Sequence, residues 1–235
     1  MYCIEMSSMM LASETANNNR PRILTIEGNI GAGKSTFLQR LQTRYADRSD
    51  ILFLLEPVGL WEQVKDEQGK NMLEKFYENP QKYSFAFQSM AFSSRLKLIR
   101  EAVEKAEEVD SPIKTIIMER SLDADREIFA QMLRDDGLLE KCEHDIYLMM
   151  SEESQRKYSA DGILWLTAEP DVCHGRIATR GREGEDQISL DYLEKCGQYH
   201  RQWLGADSGF VFQVEDSKSE EGEFWNRVDS YVLQV

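Results

Sequence analysis

Eight residues, Gly28-Asn29-Ile30-Gly31-Ala32-Gly33-Lys34-Ser35, stand directly after an apolar run at 23–26 and directly before a segment of helical periodicity. They match G-x-x-x-x-G-K-[ST], a pattern that requires a strand, a glycine-rich loop with inward-facing N–H groups, and a helix opening at the lysine. Further apolar runs at 51–55, 113–118, 163–166 and 210–214 alternate with helical segments expected at 34–45, 83–107, 124–135, 138–155, 171–179, 190–204 and 222–233. Such alternation predicts a parallel sheet. The runs are continuous rather than alternating apolar and polar, so both faces of each strand should be covered. The expected fold class is α/β, a three-layer αβα sandwich on a five-stranded parallel sheet. Thr167 is expected as an N-cap, with Pro170 in the first turn of a helix that lines Arg176 and Arg180 along one face. No internal repeat or linker interrupts 21–235, which reads as a single domain, and residues 1–20 read as a disordered tail.

With 41% hydrophobic residues in 235, the chain is long enough for a full core. Its 28 basic against 42 acidic residues give a formal charge of −14, which repels nucleic-acid backbones and anionic membranes, so neither is expected as a partner. An anionic ligand would have to be held by a local cluster of Lys, Arg and backbone N–H groups. Cys3, Cys142, Cys173 and Cys196 have no ligand-pair or disulfide-framework spacing and are expected as reduced thiols. The apolar runs are far shorter than the ~20 residues that span a bilayer. Residues 1–20 resemble neither a signal nor an import segment, so a cytoplasmic protein is expected.

In the loop, the backbone of Gly28, Asn29, Ile30, Gly31, Ala32 and Gly33 would cradle the phosphates of ATP. Lys34 would neutralise β- and γ-phosphate charge, Ser35 would ligate Mg²⁺, and Thr36 follows in the first helical turn. A GTPase-type switch is disfavoured, because no Asn-Lys-x-Asp is present and the third apolar run ends in Glu119-Arg120 rather than a Walker-type Asp. Glu56-Pro57-Val58 ends the second run, with Trp61 shortly after. Pro57 keeps Glu56 extended, and a carboxylate at the carboxyl end of a strand beside the first would sit in the ligand crevice as a general base.

Together these stretches resemble the deoxycytidine kinase and deoxyguanosine kinase branch of the deoxynucleoside kinases. The likeness runs from Arg22 to Leu204, through IEGNIGAGKST, EPV with Trp61, YENPQKYSFAFQ, Ser94-Arg95, ERSLDADR and RIATRGREGED. It implies a P-loop kinase fold and ATP-dependent phosphorylation of a deoxynucleoside 5′-hydroxyl for nucleotide salvage. By the same likeness Glu56 is the base, Arg120 the arginine near the 5′-oxygen, and Glu119 a carboxylate near Mg²⁺. Gln88 would read the base edge, Phe129 would stack on it, and Phe87, Gln88, Ala91 and Arg95 fall at helical spacings of three and four. Tyr77 and Glu185 correspond to positions holding the 3′-hydroxyl. Ile30, Leu73 and Phe76 would line the pocket, though core packing explains them equally well. Arg95 with Asp125 resembles a pair marking acceptance of deoxycytidine and purine deoxynucleosides with thymidine disfavoured; a plain buried ion pair is the alternative. Arg176, Arg180 and Arg182 belong to a lid at about 176–187. A homodimer packed through the helices at 83–107 and 138–155 is implied. Gly31 and Gly184 stand where close relatives use other residues, 122–124 is less aromatic than expected, and no aromatic for the donor adenine stands near 216–218. The rival reading is a nucleoside monophosphate kinase of the thymidylate kinase type; Leu55, where such enzymes carry a phosphate-binding arginine, opposes it.

Overall fold

The computed structural model describes residues 20–205, 211–214 and 222–234. Residues 1–19 of the proposed tail at 1–20, Cys3 among them, and Phe210 and the 216–218 region lie outside the described residues, while Arg20 is described and bonds Asp161 at 2.8 Å. The strands are β1 (Arg22–Glu27), β2 (Ile51–Leu54), β3 (Thr115–Glu119), β4 (Gly162–Leu166) and β5 (Val211–Val214). They pair in the order β2-β3-β1-β4-β5, and every pairing is parallel. One expectation needs correction: β2 is not beside β1, because β3 lies between them, with Ile26 opposite Glu119 and Leu54 opposite Met118. The chain leaves β1 for the sheet edge and returns to fill the gap, which splits the connections and opens a crevice at the carboxyl ends of the strands.

The two faces of β1 enter different cores. Ile23, with Ile116 and Met118, packs on Phe92, Ile99 and Tyr147. Leu24 and Ile26, with Ile117 and Leu164, pack on Phe37, Leu38 and Leu41 and on Val228 and Val232. Phe37 is fully buried, a contribution of about 2–3 kcal/mol by area removed from water. Covered strands of this kind have no solvent face, which is why their apolar runs are unbroken.

The helices are α1 (Lys34–Arg44), α2 (Val58–Trp61), α3 (Met72–Glu78), α4 (Pro80–Glu107), α5 (Leu122–Ala124), α6 (Gln131–Asp135), α7 (Lys141–Tyr158), α8 (Pro170–Arg180), α9 (Leu190–Leu204) and α10 (Gly222–Val232). α4 starts three residues before the expected 83, since Pro80 takes the first turn and the Asn79 side chain accepts from Lys82 N–H. α7 starts at Lys141 rather than 138, where Glu140 and Glu143 form a capping box. The cap of α8 is Glu169, not Thr167: Pro170 fixes the first helical residue, and the residue before a proline stays extended. The expected helix at 124–135 is broken by a π segment, Asp125–Ala130, between α5 and α6. A 3₁₀ turn, Glu185–Gln187, follows α8. Among the described residues no helix is long and apolar enough to cross a membrane. Cys142 is exposed, Cys173 and Cys196 are buried, and all three are free thiols.

Candidate active site

The crevice is a cavity of about 670 Å³, bounded by the phosphate loop, the ends of β2 and β3, α4, the π segment and the lid. In the loop Gly28, Gly31 and Gly33 have φ of 145°, 80° and 101°. A Cβ on Gly28 would lie 2.4 Å from the Leu166 carbonyl oxygen and one on Gly31 2.5 Å from that of Cys173, so β4 and α8 can press against the loop only over glycines. Asn29 ties the loop to α9, its side-chain amide donating to Leu193 O at 2.8 Å, and Ala32 is buried beside Cys173. Lys34 Nζ donates to the carbonyls of Gly28 and Asn29 at 3.1 and 2.9 Å. Burial, assisted by the charge of Arg120, lowers Lys34 to about 8 despite Glu119 and Glu56.

Ser35 Oγ donates to Glu119 Oε1 at 2.8 Å. These adjacent hard oxygens fit Mg²⁺, which keeps most of its shell as water and phosphate oxygen and needs few protein ligands. No group of three or more His, Cys, Asp or Glu is placed to hold a metal among the described residues.

Glu56 and Arg120 face the phosphate loop across the cavity. Arg120 Nε is 3.3 Å from Glu56 Oε1, its guanidinium donates to Gly28 O at 3.3 Å, and it lies 4.6 Å over the Phe129 ring. Arg95 donates to Glu56 Oε1 at 2.7 Å and to Asp125. Burial pushes the Glu56 carboxyl up, but Arg120, Arg95 and Lys34 outweigh it and leave it below the usual carboxylate range. For Asp125 burial prevails over Arg95 and Arg120 and raises it to about 6. Burial disfavours charge on Arg95 as well, yet Asp125 and Glu56 together carry it above its ordinary value.

Gln88 is 2% exposed, lines the cavity, and its side-chain oxygen has no protein partner among the described residues. Ala91, Arg95 and Phe87 line the same wall; Trp61 is edge-on to Phe87 at 5.8 Å and donates to Ser94 Oγ at 2.8 Å. Ile30, Leu73, Tyr77 and Phe129 also line the cavity, with Thr36 at the loop end. Phe76 does not line it: its ring stacks behind Phe87 at 4.6 Å, in the core. In the segment expected as a lid, Glu185 accepts from Arg180 Nε at 3.0 Å and Arg182 at 3.0 Å, while Arg176 donates to Ala32 O at 3.0 Å. Tyr192, Val58 and Glu62 were not anticipated from sequence yet border the cavity. Tyr192 meets Tyr77 edge-on at 6.3 Å; nothing in its helical periodicity separates it from a core residue.

A parallel α/β sheet with a lysine-bearing phosphate loop at its centre and a carboxylate–arginine pair facing it defines a kinase of the P-loop class. A family model of deoxynucleoside kinases matches residues 24–232. Deoxycytidine kinase 1 of Xenopus laevis is 35% identical over 210 residues, 82% of this chain and 77% of that protein. Human deoxycytidine kinase is 34% identical over 209 residues (82% and 78%), and the mitochondrial deoxyguanosine kinase of Xenopus laevis 33% over 199 residues (77% and 72%). The chain belongs to the deoxynucleoside kinase family and is an enzyme that phosphorylates deoxynucleosides with a nucleotide phosphate donor.

Proposed function

We propose that the chain transfers the γ-phosphoryl group of ATP to the 5′-hydroxyl of deoxycytidine or a purine deoxynucleoside, with thymidine disfavoured, as a step of nucleotide salvage. The observation that carries this reading is Glu56: a half-buried, ionised carboxylate held between Arg95 and Arg120 and facing the lysine of the phosphate loop. The 5′-hydroxyl placed there gives its proton to Glu56 while Arg120 and Lys34 neutralise charge on the moving phosphoryl group. A carboxylate of lowered basicity suffices, because the transition state is loose and the proton departs late. Ser35 and Glu119 would hold Mg²⁺, which would supply charge neutralisation at the donor phosphates. An uncharged acceptor is favoured by Leu55, which lines the cavity and offers nothing to a phosphate.

Gln88 offers a paired donor and acceptor to the base, and Tyr77 with Glu185 suits the sugar 3′-hydroxyl. Asp125, when ionised, accepts only and prefers an exocyclic amine to the thymine carbonyl. The free thiols agree with a cytoplasmic setting. Self-association through α4 and α7 is supported by Ile146, Met149 and Met150, exposed on one face of α7.

The test is a phosphorylation assay across deoxycytidine, deoxyadenosine, deoxyguanosine and thymidine, with Glu56→Gln alongside. Thymidine should be the poorest acceptor, and Glu56→Gln should lose at least ~10²-fold in turnover while still binding ATP. Equal use of thymidine would remove the role given to Asp125, and full turnover without the carboxylate would remove the base.

A further inference from the structure

Glu27, the last residue of β1, is 0% exposed, and the chemistry above makes no use of it. Its Oε1 accepts the backbone N–H of Ser121 at 2.8 Å. Ser121 directly follows Arg120, whose backbone is left-handed, with φ 62°. A non-glycine residue in that region is strained and persists only where its surroundings fix it. The Arg120 N–H donates to Ile26 O at 3.1 Å, and the Arg120 guanidinium to Gly28 O at 3.3 Å. Three consecutive residues of β1 and the loop, Ile26, Glu27 and Gly28, therefore grip the Arg120 turn.

Burial pushes the Glu27 carboxyl up, and Arg120 is the largest influence holding it down. Glu27 Oε2 and one terminal nitrogen of Arg120 are both buried without a protein partner among the described residues. Glu27 is thus a second buried carboxylate that the arginine's charge reaches, bonded to the Arg120 turn through the Ser121 N–H.

We propose that Glu27 is a positioning residue for Arg120: it fixes the left-handed turn through Ser121 and provides the buried counter-charge that keeps the guanidinium between Glu56 and the phosphate loop. This rests on Arg120 acting at the transferred phosphoryl group.

Glu27→Gln keeps the side chain's size and an oxygen for Ser121 while removing the charge. Its kcat should fall roughly 10–100-fold, the range expected for losing a charged partner, with KM for both substrates changed less than about threefold. In an Arg120→Lys background the same substitution should cost less than about twofold, because residues acting as a unit are not additive. A purely structural Glu27 would instead add its full loss in both backgrounds, and that result, or a Glu27→Gln kcat within twofold of wild type, overturns the proposal. Arg120→Lys turning over at the wild-type rate would overturn the underlying reading and this proposal with it. Should Glu27→Gln not fold, Glu27→Asp keeps the charge but withdraws the Ser121 contact by one methylene. The same loss in kcat and the same non-additivity are then expected, and a wild-type rate overturns the idea.

Discussion

Lys34 spends two hydrogen bonds on carbonyls of its own loop, which a donor phosphate would replace under the proposed role of this lysine. Its ordinary value is 10.5, and burial lowers it to about 8 in the unliganded fold. Phosphate oxygens favour the protonated amine and raise it again. Donor affinity should therefore be flat below pH 8 and weaken by up to about tenfold per pH unit above it, with uptake of a proton on binding. The unliganded fold shows the opposite trend: it holds this proton less tightly than the unfolded chain, so losing it between pH 8 and 10.5 removes a penalty. Calorimetric titration with ATP at pH 7, 8 and 9 reads the slope, and Lys34→Met should abolish it; a flat profile in the wild type would assign the loop charge elsewhere. Lys34 was legible in sequence because a spacing of glycines and one lysine admits a single geometry. Phe76 was not, because neighbours on a seven-residue helix can face either the cavity or the core, and only the stacked Phe87 ring decides it.

The proposed lid shows what a whole element adds to its residues. Arg180 and Arg182 both close on Glu185, which is 5% exposed, and Arg176 reaches the phosphate loop. Gly184 lies at φ 86° with a would-be Cβ 3.1 Å from the Glu74 backbone, so the lid seats against α3 over a glycine. Glu185→Ala would remove the carboxylate that Arg180 and Arg182 share, and because both arginines keep about a third of their side chains in solvent, the loss is that of a tether between them rather than a buried charge left unpaired. The variant should raise acceptor KM by about tenfold and speed tryptic cleavage after Arg180 or Arg182, since local opening sets access to the protease. Unchanged cleavage would mean that the pairs do not hold the lid. The basic spacing of this segment was legible; its pairing with Glu185 was not, because charge periodicity does not tell a solvated helix from one folded over a cavity. The long helices were legible for the converse reason, and α9 falls on the expected 190–204. The π segment was invisible, since Asp125 and Phe129, four apart, suit an α-helix equally well. α2 and α3 were too short for periodicity, although the Asn71 and Glu74 capping box was a local signal for α3.

At the scale of the molecule, charge and apolar surface oppose each other. Two copies each carrying −14 repel, while Met149 is 76% exposed on α7, beside Ile146 and Met150. α7 is braced on α4 by Phe92 and Tyr147, edge-on at 5.7 Å, so the apolar face is rigidly presented and little ordering entropy is lost on pairing. If the proposed homodimer forms there, salt should strengthen it, because the Debye length shrinks from about 10 Å at 0.1 M to about 3 Å at 1 M and repulsion is screened while apolar burial persists. Sedimentation velocity at low micromolar protein should show a dimer whose dissociation constant falls as salt rises. Met149→Glu adds a charge at the centre of the face and should weaken association roughly 10–100-fold, the scale of a central interface residue. Turnover per protomer should not change, because Met149 lies outside the cavity. A wild-type chain that remains monomeric at every salt concentration would place the burial of this face elsewhere, and a dimer that loosens with salt would mean that opposite charges, not apolar contact, join the copies.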